Sequence, residues 1–403
     1  MTWAKVDIKA FAEVITGGTP STAVKEYWEN GTIPWLNSGD LNQGIITKPS
    51  NFITELGYKN SSARMMPAET VLVALTGATT GVSALLKFEA CGNQSVTGIL
   101  PSKNHDPLYL YHYLRTMRNK ILNDAWGGAQ KHIRQKYVKD FKIPLPPLSD
   151  QIRIATILSK AEALIAQGKE SLRLLDELLK STFLEMFGDP SRNQNKFLKG
   201  KIADIVSEVK YGTSKPASEQ GSYPYLRMNN ISYEGYWDFS SLKYIDITED
   251  EKDKYIVRPG DLIFNRTNSK DLVGKTAVYN KFTEMVIAGY LIRVRVNEKG
   301  NPWYLWGYLN SRHGKQTLLG LCRNIVGMAN INATEIKNIK ILIPPVELQT
   351  KFAQIVEKVE ALKAHYQASL KELENLYGSL SQRAFNDELD LSGMEVRVQE
   401  VTN

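Results

Sequence analysis

Cysteine is nearly missing. Cys91 and Cys322 are the only two in 403 residues, and neither sits in a CxxC pair or beside an HExxH element or a Cys/His cluster, so a structural zinc and a disulfide framework are both excluded as organising devices. Long hydrophobic runs are missing too. The longest purely apolar stretches, such as residues 71–75, fall far short of a membrane span, and the opening residues Met1, Thr2, Trp3, Ala4 and Lys5 lack the apolar core of a signal peptide. We therefore expect a cytoplasmic protein that does not engage a membrane. No low-complexity tract occurs, and 42% hydrophobic with 23% charged residues is the composition of a folded chain. Acidic residues are outnumbered for a net charge of +7, and they concentrate at the end of the chain. Residues 387–403 hold Asp387, Glu388, Asp390, Glu395 and Glu400 against Arg397, so setting this −4 tail aside leaves +11 on the rest. A basic body favours a polyanionic partner.

What is present is a repeat. The stretch 146–189 aligns without a gap on 344–387 at a constant offset of 198. Pro146-Pro147 falls on Pro344-Pro345, Gln151 on Gln349, Glu162-Ala163-Leu164 on Glu360-Ala361-Leu362, and Phe187 on Phe385. The segments before each stretch echo one another in outline only, at offsets drifting from about 190 to 199: Pro34-Trp35-Leu36 with Pro224-Tyr225-Leu226, and Pro107-Leu108-Tyr109-Leu110 with Pro302-Trp303-Tyr304-Leu305. Helices that pack on each other constrain one another's surfaces, whereas two domains that read different ligands need share only a scaffold.

Between 150 and 187, Ile154, Leu158, Ala161, Ile165, Leu172, Leu175, Leu179 and Met186 recur at alternating steps of four and three, which predicts a long helix with a heptad seam. Phe352, Val356, Val359, Tyr366, Leu370, Leu373, Tyr377 and Leu380 predict its counterpart, with Lys363 the exception. Gly188-Asp189-Pro190 stops the first helix, and the second stops near Asn386. Each is a rod of roughly 57 Å. A chain that enters a second domain at the end of the first rod must return beside it, so the rods are expected to pair antiparallel with pseudo-two-fold symmetry. Such a pair suits the reading of two separated half-sites on one duplex, whose successive major grooves lie about 34 Å apart.

The segments 143–151 (Ile143-Pro144-Leu145-Pro146-Pro147-Leu148-Ser149-Asp150-Gln151) and 341–349, each with the helix that follows, resemble the specificity subunit of type I restriction-modification systems, and the likeness extends to about residue 387. The resemblance implies an α+β fold: target recognition domains at 1–148 and 190–345, spacer helices at 149–189 and 346–386 forming a long antiparallel two-helix coiled coil, and an acidic tail at 387–403. It further implies double-stranded DNA with a bipartite asymmetric target, two methyltransferase (modification) subunits and restriction subunits as partners, in phage defence. Adenine methylation with S-adenosylmethionine would belong to the modification subunit, and ATP and Mg to the restriction subunit, so no cofactor or metal is expected on this non-catalytic chain. The tail is open to two readings, closing on the first domain or staying apart from it, and the alternation in residues 394–401 permits a short strand.

Catalytic motifs are lacking. Neither proline pair supplies the Asn/Asp-Pro-Pro-Tyr/Phe element of an adenine methyltransferase. Val273-Gly274-Lys275-Thr276 has Ser269 where a phosphate loop needs glycine, and Asp261 in Pro259-Gly260-Asp261 reads as a turn residue rather than a nuclease ligand. An autonomous enzyme is thus disfavoured, and the alternative is a stand-alone DNA-binding or scaffold protein without modification partners. Base edges need polar side chains on loops at strand ends. The first domain offers Thr19; Asn37, Ser38 and Asp40; Thr76, Thr79 and Thr80; and Gln130, Lys131, His132 and Arg134. The second offers Thr213; Arg227, Asn229 and Asn230; Asn265, Arg266, Thr267, Asn268, Ser269 and Lys270; and Arg323, Asn324 and Asn330. The run 265–270 is the strongest candidate, with Arg266 suited to guanine and Asn268 to adenine. Tyrosines and tryptophans are assigned to cores.

Overall fold

The structure, a computed structural model, describes residues 3–128, 130–269, 272–322 and 328–391. The chain divides into two compact units. The first holds residues up to Lys169 together with those from Ala368 onward, and the second is Glu170–Gln367. Each unit is therefore one α+β domain packed on segments of both long helices.

In the first unit the strands Val14–Thr16, Val96–Ile99, Val71–Ala74, Ser83–Leu86 and Ile45–Ile46 lie in that order in one sheet, and Asn51–Ile53, Ile33–Leu36, Ala90–Gly92 and Met65–Met66 in another. Lys5–Asp7 pairs antiparallel with Lys142–Pro144. The second unit repeats this wiring. Val206–Tyr211, Leu291–Val296, Leu262–Asn265 and Thr276–Val278 form one sheet, and Lys243–Ile245, Tyr223–Leu226, Met285–Ile287 and Ile256–Val257 the other. Leu198–Lys201 pairs with Lys340–Ile343. The strands are two to six residues long and rich in Val, Ile and Leu, as expected of half-sheets buried on both faces.

After the sheets, each unit sets a short helix against the long ones. Pro107 and Pro302 occupy first-turn positions, where a missing N–H costs nothing, and the side chains of Asp106 and Asn301 accept bonds from the amides of Tyr109 (2.8 Å) and Trp303 (2.9 Å). The tyrosines of these helices then reach the strand that leads into the proline pair. Tyr109 Oη donates to the Pro144 carbonyl at 2.8 Å, and Tyr304 Oη to that of Leu342 at 2.6 Å.

The long helices span Leu148–Phe187 and Val346–Phe385. Gly188 (φ +72°) ends the first in the left-handed conformation that favours glycine, and after the second it is Asp387 (φ +63°), one residue beyond the Gly188 counterpart Asn386, that is left-handed. In the first unit, early residues of the first helix (Ile154, Ala155, Leu158) share a core with late residues of the second (Ala384, Phe385), and Lys169 meets Glu374 at 3.0 Å. In the second unit, Phe183 and Phe187 both stack edge-on against Phe352 at 5.5 Å, and Lys363 meets Asp176 at 2.8 Å. Pairing is thus antiparallel within each unit. Burial of each aromatic ring contributes about 1.5–3 kcal/mol. Spacing placed Tyr366 on the seam, but it is exposed: a two-helix contact buries only a narrow stripe, and a phenol ring keeps its polar edge in water.

Two buried glutamines fix the proline-rich entrances. Gln151 Nε2 donates to the carbonyls of Pro146 (2.9 Å) and Asn104 (3.2 Å), and its Oε1 accepts from the Asp106 amide (2.9 Å). Gln349 does the same with Pro344 (2.8 Å), Lys299 (3.1 Å) and the Asn301 amide (2.8 Å). Leu389 and Leu391 of the tail pack into the first unit's core, and the alternating stretch 394–401 lies outside the described residues. Among the described residues, no helix is long and apolar enough to cross a membrane.

Candidate nucleic-acid interface

In each unit, backbone bonds around one turn gather the polar loops. In the first, the turn is Asn93-Gln94-Ser95. The Asn93 amide donates to the Leu36 carbonyl (2.9 Å), which holds the Asn37–Asp40 loop; Gln94 Oε1 accepts from the Thr19 hydroxyl; Ser95 bonds the Thr76 hydroxyl (2.7 Å). Thr76 also bridges His132, and the Gly77 amide donates to the Lys131 carbonyl at 3.0 Å. Four loops far apart in sequence thereby meet.

The second unit uses Ala288-Gly289-Tyr290 in the same way. The Ala288 amide donates to Leu226 O (2.9 Å), that of Gly289 to Thr213 O (2.7 Å), and that of Arg266 to Tyr290 O (2.9 Å). Thr267–Ser269 pairs antiparallel with Met328–Asn330. The scaffolds share several bonds: Ile133 N to Leu75 O and Ile331 N to Arg266 O are each 2.9 Å, and the Asn37 and Arg227 amides donate to the side chains of Asp40 (2.8 Å) and Asn230 (2.9 Å). Side chains at corresponding places differ: Leu75 against Arg266, Gly77 against Asn268, Ser95 against Tyr290, Lys131 against Ala329, His132 against Asn330.

The candidate residues separate into two groups. Asp40, Thr80, Thr213, Asn230 and Asn265 are buried. Asp40 takes the Asn37 amide and the Ser50 hydroxyl (2.7 Å), Thr80 donates to the Gly77 (2.8 Å) and Lys131 (2.7 Å) carbonyls, Thr213 accepts from the Lys215 amide (3.2 Å), and Asn230 donates to Asp238 O (2.9 Å). These residues shape the loops from beneath and do not face solvent, whereas the sequence suggests contact residues: a turn needs its polar groups satisfied before it can present anything. Asn265 differs, since among the described residues neither side-chain amide atom has a hydrogen-bond partner. Thr19, Asn37, Ser38, Thr76, Thr79, Gln130, Lys131, His132 and Arg134 in the first unit keep exposed surface, as do Arg227, Asn229, Arg266, Thr267, Asn268, Ser269 and Asn330 in the second. Lys270, Arg323 and Asn324 lie outside the described residues.

Electrostatically the faces are cationic and incompletely paired. Arg134 lies over the Trp126 ring (4.4 Å to its centroid) and Arg266 over Tyr211 (4.8 Å), while among the described residues the Nε atoms of Arg227 and Arg266 have no hydrogen-bond partner. Lys275 of the former phosphate-loop decoy is half-buried, which lowers its pKa, and it donates to the carbonyls of Met228 (3.2 Å) and Ile231 (2.9 Å), fixing the Arg227 turn. Asp261 is likewise structural, pairing with Arg295 at 2.7 Å. Among the described residues, no group of three or more His, Cys, Asp and Glu could hold a metal ion.

Sequence reasoning missed Gln94, Ser95, Tyr290, Trp126 and Tyr211. The polar run Asn93-Gln94-Ser95 between two apolar strands was a usable signal for the first turn. The aromatic residues gave none, because a lone ring in sequence does not reveal its exposure.

Comparison with known proteins agrees with these features. The family model described as the type I restriction modification DNA specificity domain matches residues 1–174 and 195–375. The EcoKI type I restriction enzyme specificity subunit of Escherichia coli (strain K12) is 24% identical over 424 residues, covering 96% of this chain and 89% of that protein. The MjaIX specificity subunit of Methanocaldococcus jannaschii is 30% identical over 253 residues, 57% of this chain and 58% of its own length. The crystal structure of the type I restriction-modification S subunit from M. genitalium superposes with a TM-score of 0.59 at 16% identity, covering 95% and 96% of the two chains, which speaks to the fold. With two domains wired alike, each carried on both long helices, and a family model spanning most of the sequence, the chain belongs to the type I restriction modification DNA specificity family.

Proposed function

We propose that this chain is the non-catalytic subunit that gives a type I restriction-modification complex its sequence specificity, reading a target of two unlike halves, one with each domain. One observation carries the reading. The two faces share much of their backbone hydrogen bonding yet differ in side chain at most of the corresponding loop positions, Thr76 and Thr267 being an exception. One scaffold with two sets of base-directed groups suits two different half-sites.

A second feature supports two copies of one partner. Leu164 and Leu376 of the first unit, and their counterparts Leu362 and Leu178 of the second, are 44–49% exposed. Within each helix the two leucines stand two heptads apart, on one face. Repeated apolar surface of this kind marks a protein contact, and we assign it to two modification subunits, which would bring S-adenosylmethionine; restriction subunits would bring ATP and Mg. In this reading the present chain holds no cofactor and works in the cytoplasm.

The test is selection of duplexes from a randomised pool by the chain with its modification subunits. A two-part motif is expected. Arg266→Ala should relax one half only, and His132→Ala with Lys131→Ala the other. Binding that weakens with salt but shows no base preference at any position would remove the reading and leave a non-specific binder.

A further inference from the structure

Each reading face holds one arginine that is braced but unpaired. The Arg134 guanidinium lies 4.4 Å from the centroid of the Trp126 ring, and Arg266 lies 4.8 Å from that of Tyr211. Among the described residues neither meets a carboxylate, and Arg266 Nε has no hydrogen-bond partner. Arg115, Arg258 and Arg295, by contrast, are paired with Glu162, Asp253 and Asp261. The bracing rings are themselves unusual in standing open to solvent, Trp126 at 48% and Tyr211 at 40% exposure.

The two arginines also flank equivalent backbone bonds in the two units. Arg134 follows Ile133, whose amide bonds Leu75 O, while Arg266 is the counterpart of Leu75 and receives the amide of Ile331, the counterpart of Ile133. Trp126 is held for its task by two reciprocal backbone bonds with His132 (2.9 and 3.1 Å), and its ring packs at 4.0 Å on the imidazole. Gly127 (φ +98°) closes this hairpin, where a Cβ would come within 2.3 Å of Gln130 O. Tyr211 is held through its hydroxyl, which accepts the Ala333 amide at 2.9 Å.

A guanidinium stacked on a ring keeps its planar fork of N–H donors free along its edge while losing torsional freedom. That edge matches the O6/N7 pair of guanine, the commonest bidentate contact in the major groove. Resting on the reading above, we propose that Trp126 and Tyr211 are positioning residues that pre-order Arg134 and Arg266 to read one guanine in each half-site. Pre-ordering removes an entropic cost that would otherwise fall on binding.

The experiment uses the full chain with its modification subunits and duplexes recovered from a randomised pool, with each selected guanine then replaced in turn by 7-deazaguanine, which lacks N7. The wild-type complex should lose affinity at one guanine per half-site, by roughly five- to 150-fold. Trp126→Ala should abolish the 7-deaza effect in one half and leave the other intact, Tyr211→Leu should do the reverse, Trp126→Phe should retain it, and Tyr211→Phe, which keeps the ring but loses the hydroxyl bond to Ala333, should weaken it by less than Tyr211→Leu does. Selectivity retained at the other base positions of the same half shows that the altered domain is folded. A wild type insensitive to 7-deazaguanine, or a variant that weakens all sequences equally, would overturn the proposal and reduce the arginines to phosphate contacts while the two-part reading stands. A wild type with no base preference would instead remove that reading.

Discussion

Replacing Gln151 by alanine should loosen the first unit and leave the second unchanged. The side chain is almost fully buried and makes three bonds, two donated to the carbonyls of Pro146 and Asn104 and one accepted from the Asp106 amide. At about 1 kcal/mol net per neutral bond the loss is about 3 kcal/mol, and backbone groups left dry would add to it. Gln349→Ala should cost the second unit a similar amount, because its three bonds have the same pattern and lengths within 0.1 Å of those of Gln151. Gln151→Glu should be at least as damaging, since it sets a carboxylate oxygen against two carbonyls. Unfolding of a two-unit chain is not a single transition, so the assay is native-state hydrogen exchange followed peptide by peptide, with the Asp106 amide and the helix Pro107–Thr116 reporting on the first unit. A loss below about 1 kcal/mol would refute the claim that these glutamines lock the helix entrances. So would equal loosening of both units by one substitution.

Two further outcomes are expected. Lys363, 5% exposed, touches Asp176 (2.8 Å) and Glu360 (3.1 Å) and lies over the Tyr236 ring; Lys363→Met should cost about 1–3 kcal/mol, less than a fully buried pair because the carboxylates keep some water, and Lys363→Met with Asp176→Leu should recover most of it in urea denaturation. Burial lowers His105 to about 4, and burial with the nearby Arg115 charge lowers His112 to about 3. The unfolded chain, with histidines near 6.5, takes up protons first as pH falls, so the stability these neutral rings carry is complete above that value and is lost below it, at up to about 1.4 kcal/mol per pH unit for each, until the folded values are reached. Exchange protection of Pro107–Thr116 should drop between pH 7 and 5, and equal protection at both would contradict this.

The helices were legible because their constraint is periodic. Ile154, Leu158 and Phe352 announce a buried stripe by spacing alone, the proline pairs and Gly188 mark the ends, and the gapless offset identified Gln151 and Gln349 as a pair before their bonds were known. Tyr366 shows the limit, since spacing selects a face but not the depth of burial. The domains were legible only in outline. Their strands are too short for period-two alternation to register, and their pairings join residues such as Thr76 and His132 that no local pattern connects. The polar loops were found by composition, but composition could not separate Thr76, which faces solvent, from Thr80, which fastens the loop from within. Trp126 and Tyr211 escaped because aromatic rings are usually buried, and here an arginine lies on each of them in the open.

The most direct test of the central claim is a base-resolution map of methylated adenine in cells that carry this chain with its modification subunit, repeated after its removal. The account predicts one chain-dependent motif made of two unlike halves, with a substitution at Arg266 changing bases in only one of them. A motif with two identical halves, a single uninterrupted motif, or methylation that persists unchanged without the chain would contradict it.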